Sequence, residues 1–335
     1  MIESDFIKLL GIHSGNIKRV IGVEDALLDE KIFIFTGKGP RSTDYHLGNY
    51  LCHRIIYHVS KKLNCPVLFQ ISNDEKRFES NITLETARNL AIHVKERLEY
   101  LHWGSNLILF ENLDPLNYLP LKMYSDMISY HIKIDKISKM FGSTNWFNGG
   151  YAMMQLAPLV YFGGTKFADH RPVVITGGDQ VGYFLLFRDL CNKLNIKAPI
   201  IVELNPLKDT LLVEKMSSSH NKTAINFTID GISKIMQSIS DPTGHNDFGC
   251  HLVDLFLPYL EPTIQKRLTD ARSDYTITGN SKSFKSVVRE CLSTLLIDSV
   301  KIPMYTLFSK DIDMFHQLID LEKHYVKSGN QTIIN

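Results

Sequence analysis

Lys31-Ile32-Phe33-Ile34-Phe35-Thr36 is apolar on both faces of an extended chain and stops at Gly37. A short continuous apolar run of this kind reads as a strand buried on both sides, the pattern of a parallel sheet covered by helices. Gly37-Lys38-Gly39-Pro40 follows as a turn. Beyond it the apolar positions 47, 50, 51, 55, 56, 59 and 63 have helical spacing. Pro66-Val67-Leu68-Phe69-Gln70-Ile71 reads as a second buried strand and Leu107-Ile108-Leu109-Phe110 as a third. Between them, residues 83–101 read as a long amphipathic helix with Thr83 as its N-cap.

Alternation of strand and helix predicts an α/β fold with a Rossmann-like, doubly wound parallel sheet. The rhythm breaks between about 115 and 165, where Met, Tyr and Gly-rich turns suggest an insertion. It resumes with Val173-Val174-Ile175-Thr176, a helix near 181–194, and Ile200-Ile201-Val202-Glu203. After about residue 230 only helical periodicity remains, over 230–240, 251–260, 282–299 and 310–327. The expected organisation is an N-terminal extension (1–30), a catalytic domain (31–230) and a helical C-terminal domain (231–335).

Composition narrows the function classes. Of 335 residues, 44% are hydrophobic and 22% charged, which excludes disordered and low-complexity chains. Lys and Arg number 37 against 36 Asp and Glu, a net charge of +1, so any nucleic-acid contact must come from a local patch. The five cysteines, at 52, 65, 191, 250 and 291, form no CxxC pair, against a disulfide framework or a zinc knuckle, and no metal site is expected. The N-terminus lacks the charged-then-apolar order of a signal peptide, and no apolar stretch approaches the ~20 residues that span a bilayer. A soluble, cytoplasmic protein with no membrane partner is the expectation.

Two segments carry chemistry. His46-Leu47-Gly48-Asn49 opens the helix after the first strand, where free N–H groups and the helix dipole suit a phosphate. Gly48 lets a flat ligand approach the backbone, and His46 and Asn49 can donate to phosphate oxygens. Lys215-Met216-Ser217-Ser218-Ser219 lies about 170 residues later, after the last strand; its lysine can neutralise a leaving pyrophosphate. Taken singly, the first reads more often as a helix cap or a core residue and the second as a solvated loop. Their pairing in one α/β domain favours a nucleotide site.

Together these segments resemble the HIGH and KMSKS signatures of class I aminoacyl-tRNA synthetases. Phe35-Thr36-Gly37-Lys38-Gly39-Pro40 is similar to the YTGRGP segment of tryptophanyl-tRNA synthetases of the eukaryotic and archaeal type. Gln70-Ile71-Ser72-Asn73-Asp74-Glu75-Lys76, Gln155-Leu156-Ala157-Pro158 and Asp179-Gln180 with Tyr183-Phe184 match further segments of that family, in consistent order. Three positions depart from it: Asn49 stands for a histidine, Lys38 for an arginine, and Phe35 for a tyrosine whose hydroxyl helps accept the indole N–H.

The resemblance implies activation of L-tryptophan by ATP, with Mg²⁺ accompanying the nucleotide, and transfer to tRNA(Trp). It implies catalytic roles for His46, Asn49, Lys215 and Ser217. ATP would be met by Thr36, Gly37, Lys38, Gly39, Pro40, His46, Gly48, Asn49, Lys76, Lys215, Met216, Ser217 and Ser218. Tryptophan would be met by Phe35, Gln70, Glu75, Gln155, Gln180 and Phe184. Gln70 would accept the indole N–H, Glu75 would pair with the ammonium assisted by the Gln155 and Gln180 carbonyls, and the two phenylalanines would wall the ring. The plainer alternatives are core positions for Phe35 and Phe184 and an ion pair of Glu75 with Lys76 or Arg77. The resemblance further implies a homodimer through the 115–165 insertion and anticodon reading by the helical domain. A tyrosine–tRNA ligase is the neighbouring reading; such enzymes place an aspartate where this chain has Pro158. A non-catalytic, synthetase-like tRNA-binding protein and a small nucleotidyltransferase are the remaining alternatives.

Overall fold

The computed structural model describes residues 1–25, 30–40, 46–75, 82–99, 106–141, 146–207, 225–226, 229–240 and 248–298. Its centre is a six-stranded sheet. The strands are β1 (Ile17–Ile21), β2 (Ile32–Lys38), β3 (Val67–Ile71), β4 (Leu107–Glu111), β5 (Arg171–Thr176) and β6 (Ile200–Leu204), in spatial order β1-β6-β5-β2-β3-β4. β2 to β6 are mutually parallel, while β1 pairs antiparallel with β6. All five strands read from the sequence are present within two residues of their expected bounds.

Alternation along the strands fills two cores. Ile34, Val67, Phe69, Val173, Ile175 and Val202 face one side, with helix α2 (Leu47–Leu63). Phe33, Phe35, Leu68, Phe110, Val174 and Ile201 face the other. Burial on both faces explains the unbroken apolar runs. Helix α3 (Leu84–Glu99) is capped as expected: Thr86 N–H donates to Thr83 Oγ1 over 3.1 Å.

Two regions differ from the sequence reading. The first thirty residues contain helix α1 (Glu3–Leu10) and the sheet's edge strand β1. Lys18 and Arg19 interrupt the apolar pattern of β1 because an edge strand is half solvated; both pair with the buried Glu203 of β6. Between 115 and 165 the chain forms helices α4 (Pro115–Tyr130), α5 (Ile134–Phe141) and α6 (Trp146–Gly163), where the sequence suggested Gly-rich turns. Pro120 and Pro158 lie inside α4 and α6. Leu121 and Ile128 of α4 and Ala152, Leu156 and Val160 of α6 join the second core, so tertiary packing overrides the local propensity there. Helix α7 (Val181–Leu194) then leads to β6.

The C-terminal part is helical: α8 (Ile229–Ser238), α9 (Phe248–Phe256), a 3₁₀ turn (Leu257–Tyr259), α10 (Pro262–Thr278) and α11 (Ser281–Asp298). The helix read over 310–327 lies outside the described residues. Tyr50 of α2 stacks on Phe256 at 5.5 Å, so the first core runs on into these helices. Tyr259 ties the parts by hydrogen bonds: its hydroxyl accepts from His13 N–H and Asn16 Nδ2, and its carbonyl accepts from Arg54 Nε.

Candidate active site

A cleft of about 590 Å³ opens at the C-terminal ends of β2, β3, β5 and β6. This is the edge at which open parallel sheets bind ligands. Phe35, Thr36, Gly37, Lys38, Gly39, His46, Gly48, Asn49, Gln70, Glu75, Gln155, Gln180 and Phe184 all line it. Pro40 is buried and is not among the lining residues. Lys76, Lys215, Met216, Ser217 and Ser218 lie outside the described residues.

The strand ends approach closely here, and glycine is what permits it. A Cβ on Gly37 would sit 2.7 Å from the Gln70 carbonyl oxygen, and one on Gly39 only 2.0 Å from Glu75 Oε2. Thr36 turns its hydroxyl to the Ile175 carbonyl at 3.1 Å, which commits that group to the sheet.

His46 is the N-cap of α2 and forms an isolated antiparallel bridge with Asn226; Leu47 N–H donates to the Ile225 carbonyl. Lys38 Nζ donates to Asn49 Oδ1 at 2.9 Å. Asn49 Nδ2 is buried with no hydrogen-bond partner among the described residues. Burial pushes the Lys38 ammonium down to about 8, with Cys52 acting weakly the other way. His53, one turn further along α2, is driven down to about 3 by burial and by the Lys38 and His46 charges, and so stays neutral. This corner combines a half-buried cation with the Asn49 amide at a helix N-terminus, a combination that suits phosphate.

Beside it lies an aromatic slot. Phe35 and Phe184, 1% and 2% exposed, meet edge to face at 5.9 Å and 75°. Gln70, 2% exposed, donates through Nε2 to the Met154 carbonyl at 3.1 Å and to Asn112 Oδ1 at 2.9 Å. A backbone carbonyl can only accept, so the NH₂ end of Gln70 must face Met154 and Oε1 is the end left over.

The ammonium-binding candidates are grouped as expected, with one change. Gln155 Nε2 donates to Gln180 Oε1 at 2.5 Å, so the Gln180 carbonyl is already engaged. Gln155 Oε1 is buried with no hydrogen-bond partner among the described residues, and is the acceptor that remains. Glu75 is hydrogen-bonded by the Tyr151 hydroxyl; burial and the Glu75 charge raise the tyrosine above its ordinary range.

Three residues in or behind the site escaped the sequence reading: Tyr151, which lines the cleft, and Asn112 and, in its present role, Asp74, which do not. Asn112 Nδ2 donates to Asp74 Oδ1 at 2.8 Å. The only sequence signal was the polar pair Glu111-Asn112 after the apolar run 107–110, at the ligand edge of the sheet.

A mostly parallel α/β sheet with a cationic corner, aromatic rings and a carboxylate at one edge suits a nucleotide and an amino acid as ligands. The sequence pattern of the tRNA synthetases class I (W and Y) matches residues 107–297. The chain belongs to this family. It is 23% identical over 300 residues to the cytoplasmic tryptophan–tRNA ligase of Arabidopsis thaliana, spanning 81% of this chain and 72% of that one. The cytoplasmic tryptophan–tRNA ligase of Mus musculus is 24% identical over 286 residues, spanning 77% of this chain and 59% of its own. Among solved structures, a tryptophanyl-tRNA synthetase from Encephalitozoon cuniculi bound to tryptophan superposes with a TM-score of 0.72 at 21% identity, covering 88% and 89% of the two chains.

Proposed function

We propose that this chain is a tryptophan–tRNA ligase, which activates L-tryptophan with ATP and passes it to tRNA(Trp). The observation that carries the reading is Gln70: its Nε2 is held by the Met154 carbonyl, which leaves Oε1 as the acceptor of a residue that lines the same cleft as Phe35 and Phe184. An acceptor beside a flat apolar slot suits an indole N–H. The Gln155 carbonyl and the Glu75 carboxylate would take the ammonium.

In the first step the tryptophan carboxylate attacks the α-phosphorus of ATP, and the bond to the bridging oxygen of pyrophosphate breaks. No protein nucleophile is needed, so positioning and charge neutralisation supply the rate. Lys38, Lys76 and Lys215 would share the phosphate charge, with His46, Gly48 and Asn49 at the helix N-terminus and Met216, Ser217 and Ser218 beside Lys215. The phosphate corner presents Lys38, His46 and Asn49 rather than a cage of carboxylates. That fits a Mg²⁺ that arrives with ATP and is held by phosphates and water. In the second step a ribose hydroxyl at the tRNA 3′ end attacks the adenylate carbonyl and AMP leaves.

The helical residues 231–335 would read the anticodon. A homodimer would form through 115–165, where Leu116, Leu119, Met123, Met127 and Tyr130 make an exposed stripe at helical spacing on α4. The cytoplasm is the proposed location, as it is in the names of the Arabidopsis and mouse relatives. Among the described residues no helix is long and apolar enough to cross a membrane. The test is ATP–pyrophosphate exchange with each amino acid in turn. Exchange driven by tryptophan is expected; exchange driven by tyrosine alone, or by none, overturns the reading.

A further inference from the structure

Asn112 is fully buried at the end of β4, behind Gln70 and away from the cleft lining. It is held in one orientation. The Asp74 carboxylate only accepts, so the Asn112 end facing it at 2.8 Å must be the NH₂. The Asn112 carbonyl then faces Gln70 at 2.9 Å, and the Gln70 end facing that carbonyl must again be the NH₂. The Met154 carbonyl, an independent acceptor at 3.1 Å, dictates the same choice. The hydrogen bonds therefore run in one direction, from Gln70 through Asn112 to Asp74, and leave Oε1 as the acceptor end of the cleft-lining Gln70.

We propose that Asn112 is a specificity-positioning residue, which with Asp74 fixes the polarity of Gln70 so that the slot selects a flat aromatic amine carrying a ring N–H donor. The inference rests on the tryptophan reading and deepens it. Phe35 brings no hydroxyl to the slot, so discrimination for the N–H falls on Gln70 and on what orients it. If Asn112 is lost, one of two anchors goes, and Gln70 can turn its NH₂ toward the ligand. A ring N–H then meets a donor, whereas an isostere without the N–H loses nothing. Sites built to bond a substrate group reject analogues that lack it, and that rejection is what Asn112 would sustain.

The experiment compares tryptophan with β-(benzothiophen-3-yl)alanine, in which sulfur replaces the ring N–H, by pyrophosphate exchange on the full chain. Wild type, Asn112→Leu and the exchanged pair Asp74→Asn/Asn112→Asp are assayed, with thermal melting to follow folding. The exchanged pair keeps an acceptor facing Gln70 and should keep the preference even if Asn112→Leu folds poorly. Asn112→Leu should lose about tenfold in the ratio of kcat/KM for tryptophan to that for the sulfur analogue. Most of that loss should fall in the KM for tryptophan, with the analogue's constants within about threefold of wild type. Equal losses for both substrates in Asn112→Leu, or an exchanged pair that loses the preference, would overturn the inference and leave the tryptophan reading standing. A wild type that exchanges with neither substrate overturns both.

Discussion

Lys38 Nζ and Asn49 Oδ1 meet at 2.9 Å, which joins the end of β2 to the first turn of α2 in the phosphate corner. Burial pushes the Lys38 ammonium down to about 8. Below that pH the group is a cation and attracts phosphate; above it the attraction fades. In the free enzyme, kcat/KM for ATP should therefore fall as pH rises through about 8. Lys38→Arg stays charged throughout and should flatten this limb. An unchanged alkaline limb in Lys38→Arg would assign the titration to another group.

Asp74 carries a pH signature in stability. Burial raises its carboxyl from 3.8 to about 6, against the Asn112 hydrogen bond, which acts the other way. Between those values the native state binds more protons than the unfolded chain, so this group's contribution falls as pH rises through the window and stays unfavourable above it. Asp74→Asn should remove that slope and stabilise the protein at pH 7 by roughly 1–2 kcal/mol. Urea midpoints of wild type and variant, compared from pH 4 to 7, give the answer; parallel curves would contradict it.

The α4 stripe makes a prediction about assembly. Met123 and Leu119 are 65% and 64% exposed at its centre. Leu119→Arg with Met123→Glu should yield a monomer in sedimentation with its melting temperature nearly unchanged, since neither side chain packs in the core. A dimer that survives both changes would place the interface elsewhere.

Lys215 is assigned through the motif alone. Lys215→Ala should lower kcat for activation by a factor equivalent to about 3–4 kcal/mol and leave tryptophan affinity nearly intact, because the charge it meets develops on the leaving pyrophosphate. Exchange at the wild-type rate would remove Lys215 from the mechanism.

Which parts of this architecture are legible in the sequence follows from how local their causes are. The strands ending at Lys38 and Ile71 are doubly buried, so their own residues declare them, and Phe35 and Gln70 inherit their place from them. Ile17–Ile21 is silent because an edge strand tolerates Lys18 and Arg19, whose partner Glu203 is far along the chain. Pro262–Thr278 is silent for a related reason: only Leu268 and Tyr275 are buried, too thin a seam to give a periodic pattern. Asn112 reads as an ordinary residue after a strand; its meaning comes from Asp74 and Gln70, which only the fold brings to it.

The account turns on Gln70 as reader of the indole N–H, with Phe35 unable to help. A buried polar group deprived of its partner costs about 1–3 kcal/mol. Phe35→Tyr should be neutral or should tighten tryptophan binding, if the added hydroxyl reaches the N–H. The most direct measurement is the tryptophan affinity of wild type and Gln70→Ala by calorimetric titration. The account predicts that Gln70→Ala weakens binding by about tenfold or more; a variant that binds tryptophan as tightly as wild type does would contradict it.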